Sequence, residues 1–544
     1  MGTKNFNSAT DLITLTRASG GTALRKISYG NELVTNGTFD TDISGWESSH
    51  GASTQEFDNG TIKLGHTGYN QWSRQVISNL VVGNTYQVKF SVTNDTQGGG
   101  GGSIVGMWEN NADASYIERF FYTRGAVETY TFYFTAIATT SQIRLYKGGN
   151  TGATNFDNVS VKEVLFDQAD GTLQLFNHGN NEPRIEYDAT GAVKGLLIEE
   201  ARTNLITNSN TVSWVDVRIT TTLNAGVSPD GTSNATKVVP QVNQTNTYSY
   251  TNLQSNGSGV KSSTSIYLAS AGYGFATVCS YTHTASRNTA VVDLSNGTIT
   301  ANYDAGPYTD TFTVEPAGNN FYRVTVTHEN RSNLILGVSD TGTYTPGENF
   351  GFNDTMTTDG VSGILRYGLQ HEVGAFPSSY IPTTGSTATR AADVATIPRS
   401  SFGHHNEAST WVVEFTPTFP SVDTNQSVLS RYGSGYDLHI WSTHANTMTA
   451  NFMNSASSPN FPITANQTSK IAVVIKHGEY LSVCVDGGSV SQNSVLSNTT
   501  VHSPTVQGWA NVDYKLGGDQ LGHIKSIKYY PRRLTNTQLQ ELTT

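Results

Sequence analysis

Short runs of alternating apolar and polar residues recur along this chain and constrain its fold more than any other feature. Four of them lie between residues 61 and 147: TIKLG, YQVKFSV, TYTFYFTA and QIRLYK, with turns such as VVGNT between them. A period of two residues places apolar side chains on one face of a strand, and Gly and Asn tolerate the dihedral angles of tight turns. Charged residues make up only 14% of the chain. The pattern predicts an all-β fold of tandem antiparallel β-sandwiches.

The charge balance argues against nucleic-acid binding. The chain has 43 acidic and 32 basic residues and a formal charge of −11, and a negative surface repels phosphate backbones. It has no apolar run long enough to span a membrane, and residues 1–30 lack the apolar core of a signal peptide. We therefore expect no membrane insertion and no general secretion. The two cysteines, Cys279 and Cys484, lie in apolar strand-like runs and are expected to be buried.

Three segments form a frame around the predicted sandwiches. They are TRASGGT at 16–22, PRIEYDATGAVKGLLIEEARTN at 183–204 and GLQHEVGAFPSSYIPTTGSTATRAAD at 368–393. Together with DLSNGT and FYRVTVT, they resemble a family of phage virion proteins found among tail fibres and head fibres. This resemblance implies a protein on the virion surface that contacts host polysaccharide, and it leaves tail or capsid location open. It also implies a homo-oligomer, a trimer for a fibre or a pentamer at a capsid vertex.

The predicted organisation has five parts. Residues 1–30 are expected to be an arm that adds a strand to another virion protein, and residues 165–204 a connecting frame. Sandwiches are expected at 31–164, 205–398 and 399–544, the first two of them jelly rolls. The clustered apolar residues of GLLIEEARTN allow either a helical turn or a buried extended segment. Residues 381–399 are interpreted as a linker that packs along a neighbouring subunit.

The first sandwich opens with NELVTNGTFDTDISGW and closes with NFDNVSVKEV, and both segments resemble the first and last strands of jelly-roll carbohydrate-binding modules. Many such modules hold a structural Ca²⁺, and the matching positions are Asp40 and Asp157. Calcium prefers oxygen ligands, which two carboxylates and backbone carbonyls supply. Asp157 in this sequence is equally an ordinary turn residue that caps its own backbone.

Sugar binding requires flat apolar rings beside polar groups that take up hydroxyls. The candidates in this module are Tyr69, Trp72, Trp108, Glu109, Arg119 and Tyr146. Packing between the sheets is the alternative for every aromatic residue among them, and Trp46 is interpreted as a core residue.

The last sandwich contains YLSVCVDGG, GHIKSIKYYPRRL and LTNTQLQEL, which resemble a concanavalin-A-like or laminin-G-like lectin domain. Thr535 and Gln538 fit a capping box, so a C-terminal helix is expected to begin there. No nucleophile elbow or HExxH motif occurs, and the acidic residues lie in no recognisable catalytic motif. We therefore expect a binding protein without catalytic activity. The alternatives are a structural decoration protein of the capsid or tail, or a polysaccharide depolymerase.

Overall fold

The structure is a computed structural model. The residues that it describes are 13–48, 55–65, 71–98, 103–109, 115–122, 124–244, 246–254, 256–257, 259–282, 287–305, 310–343, 356, 358–398, 408–417, 427–431, 438–444, 447–452, 456–476, 479–494, 513–516 and 522–544. They form 41 β-strands and one α-helix. This confirms the all-β fold class.

The first part of the chain contains strands β1 (Thr14–Thr16), β2 (Gly21–Glu32), β3 (Glu47–Ser48), β4 (Gln55–Phe57), β5 (Ile62–Leu64), β6 (Gln71–Ser78), β7 (Thr85–Asp95), β8 (Ile104–Glu109), β9 (Tyr116–Phe121), β10 (Thr129–Thr135), β11 (Thr140–Lys147), β12 (Thr154–Phe166), β13 (Thr172–His178), β14 (Ile185–Tyr187), β15 (Val193–Ile198) and β16 (Arg202–Asn204). The middle part contains β17 (Val215–Val217), β18 (Ile219–Gly226), β19 (Ala235–Pro240), β20 (Tyr248–Asn252), β21 (Lys261–Ala271), β22 (Phe275–Tyr281), β23 (Arg287–Asp293), β24 (Thr298–Ala305), β25 (Thr311–Pro316), β26 (Tyr322–Glu329), β27 (Asn333–Ser339), β28 (Gly363–Val373), β29 (Ala388–Arg390) and β30 (Val394–Ile397). The last part contains β31 (Ala408–Pro417), β32 (Ser427–Arg431), β33 (His439–His444), β34 (Thr447–Phe452), β35 (Ala456–Ser457), β36 (Phe461–Pro462), β37 (Ser469–Lys476), β38 (Tyr480–Val485), β39 (Ser491–Ser494), β40 (Tyr514–Leu516), β41 (Gly522–Tyr530) and α1 (Asn536–Thr543).

The chain divides into two compact units. The smaller unit comprises Lys26–Gln174 and Thr221–Lys237, and the larger one comprises Met1–Arg25, Leu175–Thr220 and Val238–Thr544. These bounds differ from the five predicted parts. One reason is that β2 and β12 pair beyond residues 31 and 164, with Ile27 opposite Phe166, although the register shifts between Lys162 and Val164.

The smaller unit contains the first sandwich. One sheet has the order β10-β7-β12-β2-β13, with β5 on β12 and β4 on β5, and the other has the order β3-β6-β11-β8-β9. Its core extends along the chain from Val34 to Val161 and includes Trp46, which is only 5% exposed. The interpretation of Trp46 as a core residue is therefore confirmed. The alternate residues that do not enter this core form the outer faces of the two sheets.

Two further sandwiches have most of their strands in the larger unit. The first has sheets ordered β17-β20-β27-β22-β23-β24 and β18-β19-β28-β21-β26-β25. The second has sheets ordered β14-β15-β41-β31-β37-β38-β39 and β1-β30-β40-β32-β33-β34-β35, and β36 pairs with β34. A separate two-stranded sheet joins β16 to β29.

Residues 14–16 and the part of the frame that forms β14 and β15 belong to the last sandwich, which differs from the prediction. β1 pairs with β30 in antiparallel register, with Leu15 opposite Ala395, and β15 pairs with β41. The physical reason is burial, because Leu15 and Ile198 enter the same core as Trp411. Residues 14–16 therefore add a strand to their own chain, and residues 1–12 lie outside the described part. Residues 394–397, expected in a linker, are also a strand of this sandwich.

The stretch GLLIEEARTN is extended, so the second of its two predicted alternatives is correct. The C-terminal helix is confirmed with both hydrogen bonds of the capping box: Thr535 accepts from the backbone of Gln538, and the Gln538 side chain accepts from the backbone of Thr535. Both cysteines are free and buried, as expected, and burial raises the pKa of Cys279 to about 11. Across the described residues, the one helix is too short to cross a membrane.

The frame segments converge on a buried network of charged side chains in the larger unit. Asp393 accepts hydrogen bonds from Arg17 at 2.9 Å and from Arg184 at 2.5 Å, and the side chains of all three have no exposed surface. Glu199 lies 2.7 Å from Arg184 and 3.5 Å from Arg390. Burial alone would raise the pKa of Glu199, but the charges of Arg390 and Arg184 outweigh it and lower the pKa to about 2. The network thus joins segments that are far apart in sequence.

Candidate functional site

The outer face of the sheet β3-β6-β11-β8-β9 carries a regular set of aromatic and arginine side chains. Trp72 on β6 lies opposite Tyr146 on β11, and Arg74 lies opposite Arg144. Trp108 on β8 lies opposite Gln142 on β11. The intervening residues, such as Ile77, Val105 and Ile143, enter the core of the sandwich. Strand alternation therefore directs the first set away from the core.

Arginine and tryptophan side chains stack along this face. The guanidinium carbon of Arg144 lies 4.7 Å from the ring centroid of Trp72 and 5.2 Å from that of Trp108. Arg74 is the next outward-facing residue after Trp72 on β6, and its guanidinium carbon lies 5.2 Å from the ring centroid of Trp72. These distances are within the range of cation–π attraction. The two tryptophans are thus held by a continuous series of arginine and indole contacts.

Strand β9 extends the face to the edge of the sheet. Arg119 lies opposite Gly106, and Phe121 lies opposite Ile104. The guanidinium of Arg119 is 4.0 Å from the ring centroid of Tyr116 and 5.1 Å from that of Phe121. Tyr116 is 47% exposed and Phe121 is 57% exposed. These two exposed rings, with a cation between them, are the most accessible aromatic surface of the face.

Polar contacts fix the orientation of the central arginines. Glu47 on β3 accepts a hydrogen bond from Arg74 Nε at 3.0 Å. The side-chain oxygen of Gln142 accepts from Arg74 Nη1 at 3.3 Å and from Arg144 Nη2 at 3.0 Å. Because planar guanidinium groups are held in place, less side-chain entropy is lost when a ligand binds them.

We call this surface the arginine–aromatic face. It comprises Trp72, Arg74, Trp108, Tyr116, Arg119, Phe121, Arg144 and Tyr146. Among the described residues, Arg74, Arg119 and Arg144 stand on it, and the carboxylate of Glu47 contacts Arg74. Arg144 and Trp108 are only 4% and 8% exposed, so Arg74 and Arg119 are its accessible cations. Flat rings suit the C–H face of a sugar, and guanidinium groups bind hydroxyls and carboxylates. The face can therefore bind a carbohydrate, and its cationic groups favour one that carries carboxylates.

Four of the six predicted binding residues lie on this face: Trp72, Trp108, Arg119 and Tyr146. Glu109 does not, because it is adjacent to Trp108 on β8 and its partner Ser141 is completely buried. Glu109 itself is partly exposed, and its role in binding stays a prediction. Tyr69 lies outside the described residues. Four residues of the face were not among those predicted: Arg74, Tyr116, Phe121 and Arg144. Arg74 and Arg144 stand two residues from Trp72 and Tyr146 on the same strands.

The two predicted calcium ligands are close enough to influence each other. Burial, and then the charge of Asp40, raises the pKa of Asp157. Asp157 accepts hydrogen bonds from the backbone and side chain of Asn158 at 2.6 and 2.9 Å, and Asp40 accepts from Thr38 at 2.8 Å. In the described part of the chain, no group of three or more acidic, histidine or cysteine side chains is placed to hold a metal. Two carboxylates are only part of the oxygen set that calcium takes, so a calcium site here stays a prediction.

Replacing Asp157 by asparagine tests that prediction. In EDTA, we expect the Asp157→Asn protein to melt slightly above the wild type, because a carboxylate with a raised pKa is unfavourable when ionised. With millimolar calcium, we expect only the wild type to gain melting temperature. An equal response of both proteins to calcium, measured by differential scanning calorimetry, would contradict a calcium site at Asp40 and Asp157.

Comparisons with known proteins give similarities at the level of solved structures only. No protein-family model matches the chain, and no curated protein matches it. The CBM22-1-CBM22-2 tandem domain of Xyn10C from Paenibacillus barcinonensis is 10% identical, with 63% of this chain and 98% of that chain covered and a TM-score of 0.19. The sialidase of Trypanosoma rangeli is 12% identical, with 96% and 93% covered and a TM-score of 0.22. A mutant of the GH43 protein BlXynB from Bacillus licheniformis is 10% identical, with 96% and 99% covered and a TM-score of 0.19.

The expectation that the chain has no catalytic activity is corrected by these comparisons. Sialidase structures and a GH43 structure are among the similar solved structures, so the exclusion of an enzyme does not stand. The physical reason is that catalytic carboxylates need no local motif, since folding can bring them together from distant positions. At these TM-scores the similarities carry no argument for a particular reaction.

Proposed function

We propose that this protein binds polysaccharide through the arginine–aromatic face of its first sandwich. The observation that carries the proposal is the arrangement of Tyr116, Arg119 and Phe121, where a guanidinium lies between two rings that are about half exposed. Sugar rings pack on exposed aromatic rings, and arginine binds the hydroxyls and carboxylates beside them. The excess of arginine on the face makes an acidic polysaccharide the preferred ligand.

The biological setting that we propose is attachment of a phage particle to host cell-surface polysaccharide. The frame motifs TRASGGT and PRIEYDATGAVKGLLIEEARTN support this setting, because they resemble those of phage tail and head fibres. A homo-oligomer on the virion surface would present several copies of the face. Several weak sites acting together give an affinity that one site lacks.

Two substitutions on the face test the binding. We expect the double variant Tyr116→Ala, Phe121→Ala to bind an acidic capsular polysaccharide roughly thirtyfold more weakly than the wild type, if each ring contributes about 1 kcal/mol. Both rings are exposed, so the fold is expected to stay intact. Affinity is measured by isothermal titration calorimetry on the full-length protein, with a panel of acidic and neutral bacterial capsular polysaccharides.

The matched control is Phe57→Ala, which removes an exposed ring of the other sheet in the same unit. It is expected to bind like the wild type. Raising the salt concentration from 50 to 500 mM is expected to weaken binding, because screening reduces attraction between arginines and carboxylates. If the double variant and Phe57→Ala bind equally well, or if no polysaccharide binds, the proposed site is wrong. Released reducing ends are measured in the same samples, which tests whether the protein also cleaves its ligand.

A further inference from the structure

A cavity of about 290 Å³ lies in the larger unit, between the frame and the sandwich that precedes the last one. Its wall on the sandwich side is a row of three side chains on neighbouring strands: Glu315 on β25, Arg323 on β26 and Tyr267 on β21. Glu315 lies opposite Arg323, and Arg323 lies opposite Tyr267. This row is on the outer face of the sheet, because the adjacent residues Ile266 and Val324 enter the core.

Polar groups of this row are available to a ligand. Arg323 is 9% exposed. It donates hydrogen bonds from Nε and Nη2 to Ser265 Oγ at 3.1 and 2.8 Å. Among the described residues, nothing hydrogen-bonds its Nη1, the hydroxyl of Tyr267 or the carboxylate of Glu315. Tyr267 is 2% exposed, and burial raises its pKa to about 12, so its hydroxyl stays protonated. Glu315 is an exposed residue, so its carboxylate is accessible to a ligand at the mouth of the cavity.

The frame supplies the opposite wall. Glu186 on β14 accepts hydrogen bonds from Lys194 at 3.1 Å and from His523 at 2.6 Å. Burial alone would raise the pKa of Glu186, but the charges of Lys194 and His523 outweigh it and hold the pKa well below its usual range. Apolar surface between the charged groups comes from Leu24, Leu175 and Pro316.

The size and charge of the cavity restrict its ligand. Its volume is at the lower limit of ligand-binding pockets, which is appropriate for one small ring and not for an extended chain. Carboxylates and cations both line it: Glu186, Asp188 and Glu315 against Lys194 and Arg323. Since neither sign is in large excess, a neutral ligand with both hydroxyl donors and acceptors fits better than an anion or a cation.

We propose that this cavity binds a single neutral sugar residue, with Tyr267, Arg323 and Glu315 as hydrogen-bonding partners of its hydroxyls. The site does not depend on the proposed function, because the arginine–aromatic face belongs to the smaller unit. It would give the protein a second carbohydrate site that recognises one residue, such as a chain end, in addition to the extended surface of the face.

The test is saturation-transfer difference NMR on the full-length protein with glucose, galactose, mannose and N-acetylglucosamine, and with glucuronic acid as the charged comparison. At least one neutral sugar is expected to receive saturation, and its Kd is expected to rise about tenfold in Tyr267→Phe and in Glu315→Gln, since each loses one hydrogen bond to the ligand. Tyr267→Phe keeps the ring contacts with Tyr367 and Tyr380, so its melting temperature is expected to be that of the wild type.

Two controls separate this site from others. Tyr322→Phe changes a tyrosine on the same strand as Arg323 but outside the cavity, and it is expected to bind like the wild type. Tyr116→Ala, Phe121→Ala removes the exposed rings of the arginine–aromatic face and is expected to leave monosaccharide binding unchanged. The proposal is overturned if no neutral sugar receives saturation, if Tyr267→Phe and Glu315→Gln bind like the wild type, or if only the face variant loses binding.

Discussion

Replacing Asp393 by asparagine is expected to lower the free energy of unfolding of the larger unit by about 3–5 kcal/mol. Asp393 is the shared partner of Arg17 and Arg184, and neither it nor the two arginines has exposed side-chain surface. Asparagine retains the size of the side chain but loses its charge, which leaves buried guanidinium groups with too little negative charge. The measurement is urea denaturation followed by circular dichroism.

Comparing how much two variants lower the free energy of unfolding is a sharper test of the charge balance in this network. The network has three arginines, Arg17, Arg184 and Arg390, against two carboxylates, Asp393 and Glu199. Burial, and then the charge of Arg184, lowers the pKa of Arg17, so removal of this cation costs less than removal of an anion. We expect Arg17→Met to be less destabilising than Asp393→Asn. The exposed control Asp340→Asn is expected to change little, and a loss under 1 kcal/mol for Asp393→Asn would contradict the account.

Replacing Leu15 by alanine is expected to lower the free energy of unfolding by about 2–3 kcal/mol, the lower part of the range for buried leucine. Leu15 is 7% exposed and lies in the core of the last sandwich with Trp411. A strand at the edge of a sheet relaxes more readily around a cavity than a central strand does. The measurement is again urea denaturation of the full-length protein.

The neighbours of Leu15 provide the matched control. Thr14 and Thr16 are exposed on the same strand, so Thr14→Ala is expected to leave stability nearly unchanged. Had residues 14–16 added their strand to another protein, Leu15→Ala would leave the isolated chain as stable as the wild type. That result would restore the prediction of an N-terminal arm and would contradict the pairing of β1 with β30.

Strand alternation places the predicted Trp72 and Tyr146 on one face of the sheet. They were candidates as aromatic residues beside polar ones, and alternation along QWSRQVIS and QIRLYK puts Arg74 and Arg144 on the same face. The outward-facing residues of β9 were harder to predict from the sequence. The register between β8 and β9 shifts between Met107 and Trp108, and such an irregularity breaks the period of two.

Long-range pairing accounts for what the sequence could not predict. Arg17 and Asp393 are 376 positions apart, and nothing in either local segment identifies the other as its partner. The frame motifs were recognised as related segments, but their convergence in one buried network depends on the tertiary fold. The cavity has the same origin, because Glu186 and Arg323 belong to different sandwiches of the larger unit.

The most direct test of the arginine–aromatic face is hydroxyl-radical footprinting of the full-length protein with and without a bound acidic polysaccharide, read by mass spectrometry. Aromatic side chains react readily when they are exposed and become protected when a ligand covers them. We expect strong protection of Tyr116 and Phe121 and weaker protection of Trp72. Phe57 on the other sheet is expected to stay as reactive as in the free protein. Protection of Phe57 without Tyr116 or Phe121, or protection confined to the last sandwich, would contradict the proposed binding face.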